Sequence, residues 1–314
     1  MAEVLCIGIA CMDVLVKNVD LSTPFLNETK SAEQVRVGIG GDAANESIIL
    51  SRLGHSVQVM CGIGRDNVGK FIENTFMENN VDLTPTIVSD DGESAVNVIM
   101  IQKNGERNFI NSGVPKAACF KPDIEKIQGV KVVSLESLFL PPFVDAQYLL
   151  MTAKKAKEIG AIVCLDVVVS EDSSFEPYKD ALQYVDYVFP NKEEAVKLTG
   201  KQELEEMTDV LLGYGIKNVI IKIGKDGCFV KNKDGSYVVP GFHVDQVVDT
   251  TGAGDNFAAG LISGILQNKN LKDACKYACG VAGVSIQAQG ACSGVKSRAQ
   301  VEDAIEMMKN RRTE

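Results

Sequence analysis

The residues best equipped for chemistry lie in one run towards the C-terminus, Asp249-Thr250-Thr251-Gly252-Ala253-Gly254-Asp255. Phe257, Leu261, Ile262 and Ile265 follow at helical spacing, so the run reads as a glycine turn that opens an apolar helix. Glycines let backbone approach a ligand closely, and the N–H groups of a first helical turn have no partners within the helix. Their partial positive charge suits a phosphate or a developing anion. Asp255 sits among these donors, where a carboxylate could accept the proton of an alcohol. An aspartate capping an ordinary turn is the competing reading.

A second glycine-rich run, Gly38-Ile39-Gly40-Gly41-Asp42-Ala43-Ala44-Asn45, precedes a helix carrying Ile48, Ile49 and Leu53. Gly38, Gly40 and Ala43 match the dinucleotide-binding spacing. That motif calls for an acidic residue about 20 positions on, at the end of the next strand; the strand over 56–61 ends without one. The alternatives are a close glycine approach to a polyhydroxy ligand, with Asp42 and Asn45 as directional partners, or a plain turn and helix cap. Asp13 follows the first apolar strand, where open α/β sheets place ligands. Gly64 to Phe71 nearly matches a phosphate-binding loop, but Phe71 replaces the hydroxyl that would hold magnesium, so the segment reads as a turn opening a surface helix. Asn191 and Glu194 form a capping-box pattern after a strand.

The elements that must position these residues alternate between short apolar strands and longer amphipathic segments, the pattern of a parallel sheet flanked by helices. Strands are expected at 4–8, 130–135 (ending at Glu136), 161–165 (ending at Asp166), 187–189, 218–223, 228–231 and 236–239, with helices near 144–159, 271–287 and 298–309. Residues 94–102 alternate, and Asn104-Gly105 before an extended 107–110 is a hairpin signal. With 13–16 and 33–37 these pieces could form a small sheet over the site, or merely an extra edge hairpin.

The 314 residues carry a net charge of −10, which argues against nucleic-acid binding. Lys309, Arg311 and Arg312 read as a solvated tail. No apolar run approaches the roughly 20 residues that span a bilayer, and the N-terminus reads as a buried strand. The nine cysteines are scattered, including Cys119 and the pair Cys275 and Cys279, and are expected to be reduced small hydrophobes. Neither His55 nor His243 belongs to a recognisable triad.

Gly40-Gly41-x-x-Ala44-Asn45 and Asp249 to Asp255 together resemble the ribokinase-like (PfkB) carbohydrate kinases. Asp13, Asn191-x-x-Glu194, Gly224-x-x-Gly227 and the long C-terminal helices extend the likeness through nearly the whole chain. The resemblance implies one α/β domain over 1–314, a ribokinase-like three-layer sandwich with a mostly parallel sheet. A β-sheet lid would be inserted at about 12–17, 33–38 and 86–112. It implies ATP-dependent phosphorylation of a hydroxyl, a primary alcohol, on a small sugar or sugar derivative. Asp255 would be the base, and Gly252, Ala253 and Gly254 the anion hole. Asp13, Gly40, Gly41, Asp42, Asn45, Arg107 and Glu136 would hold the acceptor. Asn191, Lys222, Gly224, Gly227 and Gly254 would hold ATP, with the helix near 282–290 bordering the adenosine. Glu194 would act on Mg2+ through water; Asp249 and Thr251, with the loop at 290–294, are candidates for a monovalent cation such as K+. A cytoplasmic enzyme is expected, with a homodimer through the lid as candidate assembly and no nucleic-acid or membrane partner. The chain departs from the ribokinase pattern at Asp42-Ala43-Ala44 within the glycine motif, at Cys11 where many carry Asn, and at Lys222 where relatives often have Thr. A nucleoside kinase of the same fold, a dinucleotide-dependent oxidoreductase and a catalytically silent binding protein remain alternatives.

Overall fold

The computed structural model describes residues 2–22, 29–90, 92–102, 106–111, 121 and 123–310, with only the backbone at Arg107, Lys309 and Asn310. The Asn104-Gly105 turn, Cys119, the basic residues Arg311 and Arg312, and the side chains of Arg107 and Lys309 therefore lie outside it.

Fourteen strands and nine α-helices are described. The first strands are β1 (Val4–Ile7), β2 (Cys11–Lys17), β3 (Gln34–Gly40), β4 (Val57–Met60), β5 (Gly62–Gly64), β6 (Ile87–Ser89), β7 (Ala95–Ile101) and β8 (Arg107–Asn111). The second half adds β9 (Val132–Leu138), β10 (Ile162–Val167), β11 (Tyr187–Val188), β12 (Asn218–Lys222), β13 (Cys228–Asn232) and β14 (Gly235–Val239). The helices are α1 (Asp42–Arg52), α2 (Asn67–Glu78), α3 (Ala146–Glu158), α4 (Lys179–Leu182), α5 (Lys192–Thr199), α6 (Leu204–Gly213), α7 (Ala253–Leu266), α8 (Leu271–Ser285) and α9 (Arg298–Asn310).

An eight-stranded sheet in the order β14-β13-β12-β11-β10-β9-β1-β4 forms the middle layer. It is parallel from β4 to β12 and antiparallel only at β13 and β14. Strands buried on both faces must be apolar throughout, as Val4-Leu5-Cys6-Ile7 is. Val4 and Cys6 point into the layer holding α1, α7, α8 and α9. Leu5 and Ile7 point into the opposite one, with α3, α5 and α6. The three-layer expectation holds.

The second sheet has the order β3-β2-β7-β8 and is the small separate sheet expected from 13–16, 33–37 and 94–110. Ile87–Ser89 does not join it, because β6 pairs with β5 instead. Gly38 and Gly40 lie in β3, antiparallel to β2. The dinucleotide spacing is thus not set in a βαβ unit, the context that motif requires. The near-match at Gly64 to Phe71 is the opening of α2, with Asp66 accepting the Gly69 N–H at 2.6 Å and Lys70 exposed. Two strands outrun their expected ends. β9 passes Glu136 to Leu138 and β10 passes Asp166 to Val167, across a register shift where Ser137 adopts a left-handed φ of 60°.

Candidate active site

Asp255 stands in the first turn of α7, the helix whose position the packing fixes most tightly. A Cβ on Gly260 would come within 2.8 Å of Ala278 Cα, and one on Gly264 within 2.8 Å of Ala274 Cα, so α7 lies directly against α8. The turn before it is equally constrained: Gly252 has φ 72°, and a Cβ there would strike that of Ala291 at 2.5 Å. The side chain of buried Asn256 donates to the Gly252 carbonyl at 2.7 Å and the Ala291 carbonyl at 2.8 Å. The first i to i−4 bond of α7 runs from Asn256 N to Gly252 O, so the amides of Gly254 and Asp255 precede the helical ladder, while the Ala253 amide donates to the Thr250 carbonyl at 3.2 Å. Asp249 pins the approach. One carboxylate oxygen accepts the Thr251 amide (2.9 Å) and hydroxyl (2.7 Å), and the other accepts the Gly290 amide (2.9 Å). Asp249, Thr251 and the 290–294 loop are thereby joined.

Asp255 Oδ2 accepts the side-chain N–H of Asn45 at 2.7 Å, which brings the two sequence motifs together. Burial lifts the Asp255 carboxyl well above its usual range; the charges of Asp42 and Asp166 add to the lift, while Asn45 and Lys222 oppose it. Asp42 caps its own helix end, accepting the Ala43 amide at 2.8 Å and the Ser137 hydroxyl. Burial again dominates, and Asp42 is pushed up to about 6. The left-handed backbone at Ser137 aims that hydroxyl at Asp42, the kind of local strain that persists where surrounding structure enforces it.

Asp13 lies on β2 beside Gly40, where a Cβ would fall 2.3 Å from its carboxyl group, so only glycine fits. Cys11 (3.5 Å) and Asn97 (3.3 Å) donate to Asp13 Oδ1, and burial raises its carboxyl.

A cavity of about 970 Å³ opens from Asp255 and Asp42 towards Asn191, Glu194, Lys222, Gly224 and Gly227. Ala282, Gly283 and Ile286 of the α8 end also line it, as do Phe242 and His243. Asn191 and Glu194 form a complete capping box on α5. Lys222 Nζ lies 3.5 Å from Asp166 and 3.2 Å from where a Gly254 Cβ would be. Burial works against the charge of Lys222, but Asp166, Glu194 and Asp255 outweigh it and its pKa rises. Burial raises Glu194, with Lys222 opposing. Glu194 and Asp166 supply hard oxygen donors of the type Mg2+ prefers.

Glu136 does not face this cavity. It is buried beside Glu46 and Cys6, with the three candidate ligand atoms all within 4.8 Å of one another. Glu136 accepts the Ser134 hydroxyl, and Cys6 Sγ lies 3.4 Å from Glu46 Oε1. Burial raises both carboxyls, Glu46 to about 7 and Glu136 well above the usual range, with Glu46 adding to the lift on Glu136. That is the signature of a carboxyl pair sharing a proton.

Sequence reasoning passed over Asp166, Ser137, Asn97 and Asn256 as site residues. Asp166 carried the same signal as Asp13, an aspartate at the end of a buried strand; the others carried none. His55 is bonded to Glu3 and Ser263, away from the cavity. Eight described cysteines are free thiols. No described helix is long and apolar enough to cross a membrane.

The pattern of the pfkB family carbohydrate kinases matches residues 1–298. The ATP-dependent ribose-1-phosphate kinase of Halopiger xanaduensis is 30% identical over 295 residues, 93% of this chain and 95% of that protein. The ribokinase of Haemophilus influenzae is 26% identical over 294 residues, 91% and 94% of the two chains. The structure of Arabidopsis thaliana ribokinase complexed with ribose and ATP superposes with a TM-score of 0.85 at 24% identity, covering 97% of this chain and 99% of that one.

Proposed function

The chain belongs to the pfkB family of carbohydrate kinases, which are ATP-dependent phosphotransferases, and we propose that it phosphorylates a primary hydroxyl of a small sugar or nucleoside. The observation that carries the reading is the Asn45–Asp255 contact at one end of the cavity, with the Asn191, Glu194 and Lys222 group towards the other.

In this reading the acceptor lies against Asp13, Asn97 and Asn45, whose carboxylate and amides suit an uncharged polyol. Asp255 orients the attacking hydroxyl and takes its proton as transfer proceeds. The amide of Gly254 faces the transferring group; in other enzymes removing one such donor costs about 3–4 kcal/mol. Lys222 holds the negative charge of the nucleotide phosphates. Glu194 and Asp166 are the residues that would hold Mg2+, directly or through water, and the ion would neutralise charge on the phosphates. Backbone at Asp249 and Thr251 with the 290–294 loop would hold a monovalent cation. The small sheet acts as a lid that excludes water, a competing acceptor. Its exposed Val35, Val37 and Ile110 share one face of that sheet and would be covered by a second copy of the chain.

The test is Asp255→Asn assayed for ADP release over a panel of sugars and nucleosides. We expect turnover to fall about 10²–10⁴-fold, the range of general-base contributions, with ATP affinity within about twofold. Near-normal turnover would remove Asp255 as base.

A further inference from the structure

Cys292 occupies the loop beside Gly252, and several neighbouring backbone groups are held. Its own carbonyl accepts from Arg52, which also donates to the Val295 carbonyl at 2.9 Å. The Ala291 carbonyl is held by Asn256 and the Gly290 amide by Asp249. The loop therefore has little freedom, and it delivers Cys292 Sγ to 3.1 Å from Asn45 Oδ1. Asn45 is itself buried in the first turn of α1, and its other amide atom, Nδ2, contacts Asp255 Oδ2 at 2.7 Å.

The distances favour one assignment of this chain of three, since Cys292 Sγ lies 3.1 Å from the side-chain oxygen of Asn45 and 3.9 Å from its backbone carbonyl. A thiol can donate to the carbonyl oxygen of Asn45. With that oxygen held by sulfur, the NH2 group must face Asp255, where it meets a carboxylate acceptor. Turned over, the amide would present oxygen to carboxylate. We propose that Cys292 is a positioning residue for phosphoryl transfer: its S–H fixes the rotamer of Asn45, so that Asn45 always presents a donor to Asp255. The proposal rests on Asp255 being the base.

Around Asp255, Asp42 on α1 and Asp166 on β10 resist ionisation, so the donors that oppose them, Asn45 and the Lys222 ammonium on β12, set where the base becomes active. Weakening the Asn45 donor leaves Lys222 alone against burial and two carboxylates.

The experiment compares Cys292→Ser, which keeps a donor, with Cys292→Ala and Cys292→Val. Those two remove the donor, one leaving space and the other filling it. The pH dependence of kcat and the KM values for ATP and the acceptor are measured for each, alongside Asp255→Asn. The expected result is a kcat about 3- to 10-fold lower in both Ala and Val at pH 7, with the acid limb displaced to higher pH. Cys292→Ser should restore the limb and come within about twofold of wild type, and ATP KM should stay within about twofold throughout. A wild-type acid limb in either donor-less variant overturns the proposal, as does a Ser variant as impaired as Ala. Loss of fold in both Ala and Val would assign Cys292 to packing and also overturn it. If Asp255→Asn remains active, the base assignment itself has failed; if only that variant is dead and Ala and Val behave as wild type, this inference alone falls.

Discussion

Glu46→Gln should flatten the dependence of stability on pH. Glu46 lies fully buried in α1 against Glu136 and Cys6, and one of its carboxyl oxygens, Oε2, finds no hydrogen-bond partner among the described residues. Burial is the main cause of its rise from 4.5 to about 7. A carboxyl raised by folding binds its proton more tightly in the native state. Its contribution to stability is therefore fully present below about 4.5 and is lost as pH climbs to about 7. At about 1.36 kcal/mol per unit, the ceiling on that loss is about 3 kcal/mol. Pairing with Glu136 spreads the titration over both groups, so roughly 1–3 kcal/mol is the measurable range. Glutamine keeps the shape, stays neutral and can donate to Glu136. Denaturant unfolding of the two proteins at pH 5, 6, 7 and 8 should show their stability difference shifting towards Glu46→Gln with each step upward. Parallel profiles would refute the reasoning, because they would mean that Glu46 titrates alike in folded and unfolded chains.

Three further outcomes follow from the same geometry. Asp13→Ala removes the carboxylate between Gly40 and Asn97 and should raise acceptor KM about 10-fold or more, the worth of one or two charged hydrogen bonds, while ATP KM stays within about twofold; an unchanged acceptor KM would contradict the placement of the acceptor. Lys222→Met strips the cation from between Asp166 and Glu194, and ATP KM should rise about 10-fold, a loss of about 1.4 kcal/mol, with acceptor KM little altered. A rise confined to the acceptor would move Lys222 to the other half of the cavity. Val37→Glu with Ile110→Glu places charge on the shared outer face of the lid and should shift the chain to monomer in light scattering; a wild-type protein already monomeric at working concentration would dispose of the lid dimer.

The fold was legible because parallel strands advertise themselves. Val4 to Ile7, Ile162 to Leu165 and Val219 to Ile221 are apolar without alternation, and only strands covered on both faces can be so. The small sheet was legible from the opposite pattern at 94–102, where alternation marks one open face. Strand ends were harder. Reading β9 as ending at Glu136 assumed that an acidic residue marks exposure. Here two acidic side chains share an interior site, and the proton that makes this tolerable leaves no mark in the sequence.

The same limit decided which site residues could be found. Asp255 and the glycine turn belong to one contiguous run, and local spacing is enough to suggest an anion hole. Their supports are distant in sequence: Asn45 lies 210 positions from Asp255, Asn97 84 from Asp13, and Cys292 247 from Asn45. No periodicity joins such pairs, because each is made by two elements meeting in the assembled sheet. Lys222 was visible as a departure from the Thr that relatives carry, and its meaning came only with Asp166 beside it. A lysine in place of a hydroxyl brings a full charge into a pocket ringed by Asp166, Glu194 and Asp255. Those three carboxylates hold it charged, and by the same interaction it opposes the lift that burial gives Asp255 and Glu194. The lysine thus couples the two halves of the cavity electrostatically, so that whatever occupies the Glu194 end alters how readily Asp255 at the other end gives up its proton.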